Sequence, residues 1–89
     1  MGVVEEHATE VKTDFIVYTS NFCGFCNAVK KFLPSKNISF TEFNLDEHPG
    51  MREQVVDATG HSTVPIVIDI RGETPVFIGG FVETRHYFE

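Results

Sequence analysis

The run Phe15-Ile16-Val17-Tyr18-Thr19 leaves almost no polar surface on either side of an extended chain, and it constrains the fold more than any other segment. A strand with one wet face alternates apolar and polar residues, whereas a continuously apolar strand needs cover on both faces. The residues that follow supply it. Cys26, Val29 and Phe32/Leu33 recur every three to four positions, which predicts an amphipathic helix over Asn27 to Leu33 with its apolar stripe turned inward. Pro34 sets the helix end near Leu33, and Asn37 suits a left-handed cap.

Ile38 to Leu45 reads as a second strand. His48-Pro49 opens a second helix with Val55, Val56 and Thr59 on its apolar face, and Gly60 closes it. Pro65 introduces a third strand, Ile66 to Ile70. A turn over Arg71 to Thr74 leads into a fourth, Val76 to Ile78. Gly79-Gly80 breaks that strand before a terminal helix from Phe81 to Phe88. The order β-α-β-α-β-β-α defines an α/β chain with one right-handed crossover followed by a hairpin. Met1 to Thr13, polar and rich in Glu, is expected to be a flexible, frayed N-terminal tail or a short helix, and residues 14–89 a single domain.

The chain has 89 residues and a net charge of −6, which argues against nucleic-acid and membrane-surface partners, since both favour a basic face. Its apolar runs of about five or six residues fall far short of the roughly 20 that span a bilayer. The acidic N-terminus has no apolar signal core, so the expected location is cytoplasmic. In a reducing compartment, a close cysteine pair is more often catalytic or metal-binding than a structural staple.

Cys23 and Cys26 are the only cysteines, and they lie at the junction between the first strand and the first helix. A thiol at a helix N-terminus is stabilised as the thiolate, the nucleophilic form, by free N–H groups and the helix dipole. A second thiol one turn on can close a small ring and expel a mixed-disulfide partner. Cys26 shares the inward stripe with Val29, so Cys23 is assigned as nucleophile and Cys26 as resolving thiol. Two cysteines cannot close a four-ligand zinc site. The four histidines, His7, His48, His61 and His86, show no paired spacing and read as surface residues.

Cys23-Gly24-Phe25-Cys26 behind a strand, Thr63-Val64-Pro65 about 40 residues on, and Gly79-Gly80-Phe81 after a hairpin together resemble a glutaredoxin, including the compact kind carried by phages. The resemblance implies a thioredoxin-like fold, a four-stranded mixed sheet flanked by three helices, with a cis bond before Pro65. It implies a glutathione-dependent thiol–disulfide oxidoreductase acting on protein disulfides and glutathione mixed disulfides. Glutathione is then the co-substrate and ribonucleotide reductase a candidate client.

The same resemblance nominates the glutathione contacts. Thr63, Val64 and Pro65 meet its cysteinyl part through the Val64 backbone, and the N–H groups of Gly80, Phe81 and Val82 meet the γ-glutamyl carboxylate. Glu83 stands in for a family Asp that holds the γ-glutamyl amine. Phe25 flanks the nucleophile, and Phe22 is either a second collar residue or part of the core. Relatives carry a Lys three residues before the first Cys, where this chain has Ser20, which leaves Arg52 as the cation nominated for the glycine carboxylate. Asp14 is either a proton acceptor near Cys26 or an exposed strand-end residue.

Two alternatives remain open. Gly-Phe is also the middle pair of single-Cys glutaredoxins that hold a [2Fe–2S] cluster between subunits, which would make Cys23 an iron ligand in a dimer. Otherwise the chain is read as a monomer. The missing Lys also admits a dithiol donor to ribonucleotide reductase that is itself reduced by a thioredoxin reductase.

Overall fold

The computed structural model describes residues 2–89. They form α1 (Gly2–Glu10), β1 (Phe15–Thr19), α2 (Gly24–Ser35), β2 (Phe40–Asn44), a 3-10 turn (Leu45–Glu47), α3 (Met51–Thr59), β3 (Ile66–Asp69), β4 (Val76–Gly79) and α4 (Phe81–Tyr87). The four strands form one mixed sheet in the order β2-β1-β3-β4. Strand β1 runs parallel to β2, Phe15 facing Phe40, and antiparallel to β3, Phe15 facing Asp69. Strand β4 returns antiparallel beside β3.

The alternation of side chains along β1 and β3 divides the core in two. Ile16, Tyr18, Ile66 and Ile68 pack with Val4, Leu45 and Val55, so α1 and α3 cover that face. Phe15, Val17 and Val67 pack with Val29, Leu33 and Ile38, against α2 and the rings of Phe81 in α4 and Phe88 just after it. This two-layered cover is why every residue of β1 is buried. The fold is thioredoxin-like, as expected, with four helices among the described residues in place of three.

The extra helix is α1: of a flexible tail and a short helix, the structure has the helix over Gly2–Glu10. Val4, His7, Ala8 and Val11 share one helical face; Val4 is fully buried against the sheet. His7 is not a surface residue. Its Nδ1 lies 2.7 Å from the Tyr18 hydroxyl, and its ring stacks on Phe43 at 4.4 Å.

Several boundaries also move. Helix α2 begins at Gly24 and runs through Pro34 to Ser35. Its end is closed by a Schellman motif in which Asn37, at φ 60, donates to the Pro34 carbonyl and Ile38 N–H donates to that of Leu33. Strand β2 is shorter than Ile38 to Leu45, because Leu45 turns into the 3-10 segment and is buried there. Helix α3 starts at Met51 rather than Pro49, because Gly50 at φ 85 reverses the chain first. Strand β3 ends at Asp69, whose buried carboxylate accepts from the Arg71 guanidinium at 2.8 Å and the Tyr87 hydroxyl at 2.8 Å. Burial opposes ionisation of Asp69, but those bonds outweigh it and hold its carboxyl below the usual range. This contact ties the far end of α4 to the sheet.

Docking of α1 makes stability depend on pH. Burial lowers the pKa of His7, against opposing pulls from Glu10 and Glu6. The unfolded chain therefore takes up the proton first as pH falls, so the stabilisation is complete above the ordinary histidine range and is lost as pH drops through the lowered value. The urea midpoint is expected to fall between about pH 7.5 and 5, and His7→Leu should flatten that segment. Val4→Ala should cost about 1–3 kcal/mol in urea unfolding; a cost near zero would mean that α1 contributes nothing to the core.

Candidate active site

Cys23 and Cys26 are joined as a disulfide with their Cα atoms 5.2 Å apart. Cys23 is the N-cap of α2, and its extended backbone aims Sγ back over the first turn, where it accepts the Cys26 N–H at 3.2 Å. Cys26 is only 1% exposed, whereas Cys23 is half-buried. One sulfur is therefore reachable and stabilised by a helix N–H, and the other is shielded.

The loop that delivers Cys23 is fixed from β2. Asn21 N–H donates to Asp46 Oδ2 at 2.7 Å, Asn44 Nδ2 donates to Asn21 Oδ1 at 3.0 Å, and Asp46 N–H returns to Asn44 Oδ1 at 2.9 Å. Sequence reasoning singled out neither Asn44 nor Asp46, because partners more than twenty residues apart leave no local signature. At the loop's end Phe22 takes φ 56 and projects its ring fully into solvent, an unusual backbone conformation for a bulky side chain. Of its two readings, the core is excluded.

Facing the disulfide, the Val64-Pro65 bond is cis and the Val64 carbonyl oxygen lies 3.8 Å from Cys23 Sγ. Beside it opens a cleft of about 260 Å³. One wall is His61, Thr63, Val64 and Pro65; the other is Gly80, Phe81, Val82 and Glu83, with Phe25 at the rim. Phe25 stacks on Phe81 with centroids 6.3 Å apart. A second, apolar depression lies between Gly24, Phe25, Ala28 and Phe81.

Every residue nominated for glutathione lines the cleft except Arg52. That side chain is on the first turn of α3, paired with Asp46 at 3.7 Å. The expectation for Gly80 also changes. Its N–H donates to Glu83 Oε1 at 2.7 Å, so this donor is already engaged and Glu83 is folded onto its own helix start. Gly79 makes that arrangement feasible: its φ is +127, and a Cβ there would lie 3.0 Å from Glu83 Cγ. Asp14 lies at the opposite end of β1, accepting the Ser39 N–H at 3.2 Å.

His61 is the cleft residue that sequence reasoning missed. Its Nε2 lies 3.2 Å from Thr63 Oγ1, its backbone N–H reaches Thr59 Oγ1 at 3.2 Å, and its ring leans on Phe77 at 5.5 Å. A lone histidine in a loop carries no spacing signal; only the folding of that loop beside α4 gives it a place.

Known proteins resemble this chain in sequence and in architecture. Glutaredoxin 3 of Escherichia coli (strain K12) is 39% identical over 54 residues, covering 60% of this chain and 65% of that protein, just under two thirds of its length. The glutaredoxin-like protein NrdH of Lactococcus lactis subsp. cremoris (strain MG1363) is 39% identical over 51 residues, covering 57% of this chain and 69% of that one. In architecture the chain is similar to the buckwheat glutaredoxin–glutathione complex, with a TM-score of 0.79 at 20% identity over 97% of this chain and 76% of that one. The glutaredoxin family model matches residues 15–74. Because that match runs from the buried central strand past both cysteines and the cis proline, the chain belongs to the glutaredoxin family.

Proposed function

We propose that this protein is a glutathione-dependent thiol–disulfide oxidoreductase that reduces protein disulfides and glutathione mixed disulfides through Cys23 and Cys26. The observation that carries this reading is the asymmetry of the pair: Cys23 Sγ is accessible and accepts a helix N–H at 3.2 Å, while Cys26 is buried behind it. In the reduced protein that N–H and the start of α2 favour the Cys23 thiolate. The thiolate attacks one sulfur of the substrate disulfide; that S–S bond breaks, and the departing thiolate takes a proton. Cys26, as its thiolate, then attacks Cys23 Sγ, forming the intramolecular disulfide and releasing the second product thiol. Two glutathione thiols reduce the pair again and leave as glutathione disulfide.

The Val64 backbone beside Cys23 supports an extended substrate seated against the loop before Pro65. Phe22 and Phe25, exposed on either side of Cys23, support a protein client with an apolar surface around its disulfide. A ribonucleotide reductase is such a client by family resemblance. One observation favours a second reductant. Neither Lys nor Arg is among the residues lining the cleft, which suits a thioredoxin reductase that presents its own dithiol. Coupled disulfide-reduction assays, one with glutathione and glutathione reductase and one with thioredoxin reductase, separate the two. Turnover only in the second would reject glutathione dependence.

Alkylation at mildly acidic pH is expected to modify Cys23 well before Cys26, and the reverse order would overturn the assignment of roles. Cys26→Ser should keep most de-glutathionylation, because a second glutathione can resolve the Cys23 adduct directly, and should lose most reduction of protein disulfides. Phe22→Ser should raise KM for a protein disulfide roughly three- to tenfold, the cost of one aromatic ring no longer buried in the complex, and leave a small disulfide unaffected.

A further inference from the structure

The cleft beside Cys23 has an uneven set of charges. Of the residues that line it, Glu83 is anionic and His61 is the one nitrogen base. The groups in contact with the His61 ring are neutral: Phe77 of β4 and the Thr63 hydroxyl on its own loop, while the Thr59 hydroxyl at the end of α3 holds the His61 backbone N–H. Arg52 is held outside by Asp46, and the chain as a whole carries −6. An acidic ligand entering this cleft therefore meets Glu83 and, as the one nitrogen base of the lining, His61; the Arg85 guanidinium is not among the lining residues and stands over the Phe81 ring at 5.7 Å. The ring is poised for that role. Its Nε2 is oriented by Thr63 Oγ1, and Nδ1 has no hydrogen-bond partner among the described residues. A protonated imidazole donates from both nitrogens, one to Thr63 and the other to a ligand oxygen.

We propose that His61 recognises a carboxylate of the small thiol that enters this cleft, and that it does so in its protonated form, so the preference for acidic over neutral thiols strengthens as pH falls. The inference rests on the reading that a glutathione-like thiol occupies the cleft. It assigns to His61 the part that a fixed cation on the wall would otherwise play.

The test is a ratio. The reduced protein is mixed with glutathione disulfide or with uncharged hydroxyethyl disulfide, and the second-order rate of oxidation is measured for each from about pH 5.5 to 8, the span in which an imidazole loses its charge. Both reactions consume the same Cys23 thiolate, so its titration cancels in the ratio of rates, and the carboxylates of glutathione stay ionised throughout. The ratio should favour glutathione disulfide roughly three- to tenfold more at the acid end, as expected for one partly exposed charge contact. It should be flat in His61→Ala and high at every pH in His61→Lys. A flat ratio in the wild type, or a pH dependence that survives in His61→Ala, would overturn the proposal. Failure of glutathione to sustain turnover in the coupled assay would instead reject the proposed reductant, with the ratio still reporting on His61. No oxidation by either disulfide would reject the dithiol chemistry, and the His61 role with it.

Discussion

Burial of β1 on both faces is the constraint from which the rest of the structure follows. Five consecutive residues without a solvated side need two helical layers and a strand on each flank, and the chain supplies them from both directions in sequence. Once β1 is held in that way, its C-terminal end is a fixed point. The loop from Ser20 to Phe22 leaves it under the control of Asn44 and Asp46, so Cys23 emerges at the start of α2 with a defined approach. The cis Val64-Pro65 segment enters β3, the antiparallel neighbour of β1, and this pairing brings the Val64 carbonyl to the sulfur. The reactive pair is thus positioned by strand pairing together with the hydrogen bonds that hold its loop.

The site's electrostatics come from local competition among a few charges. An acidic chain offers little general attraction to an anionic ligand, and several of its cations are engaged. Lys30 bonds Glu42 at 3.1 Å, Arg52 faces Asp46, and Arg71 is bound to Asp69 at the other end of the sheet. Glu83, which a family comparison would present to a ligand amine, instead accepts the Gly80 N–H and stabilises the start of α4. What remains is a cleft of apolar side chains, backbone, the Thr63 hydroxyl, Glu83 and one imidazole, beside an exposed apolar rim. Such a surface discriminates by shape and by desolvation more than by fixed charge.

The architecture was largely legible in the sequence because its signals are local. The apolar run of β1, the three-to-four spacing after Cys26, Gly60 at a helix end and Asn37 in a left-handed cap all express backbone preferences or the periodicity of one element, and each reappears in the structure. The N-terminal helix stood only as one of two alternatives although Val4, His7, Ala8 and Val11 carry the same periodicity, because its charged residues masked a narrow apolar face. The start of α3 was misplaced because Pro49 and Gly50 are both punctuation marks, and the preference of glycine for positive φ prevailed.

For the site, the sequence by itself determined the chemistry: two thiols one helical turn apart, a proline to face them, and which thiol points inward. These depend on spacing along one chain segment and on the direction of an amphipathic face. The tertiary structure alone decided which groups share the cleft. It drew Arg52 out toward Asp46, turned Glu83 onto Gly80, held Phe22 in solvent and brought His61 in beside α4. Each of those outcomes is a choice between partners distant in sequence or between rotamers of one side chain. Such choices are settled by what the packed sheet brings within hydrogen-bonding range, a distance that no local pattern of residues encodes.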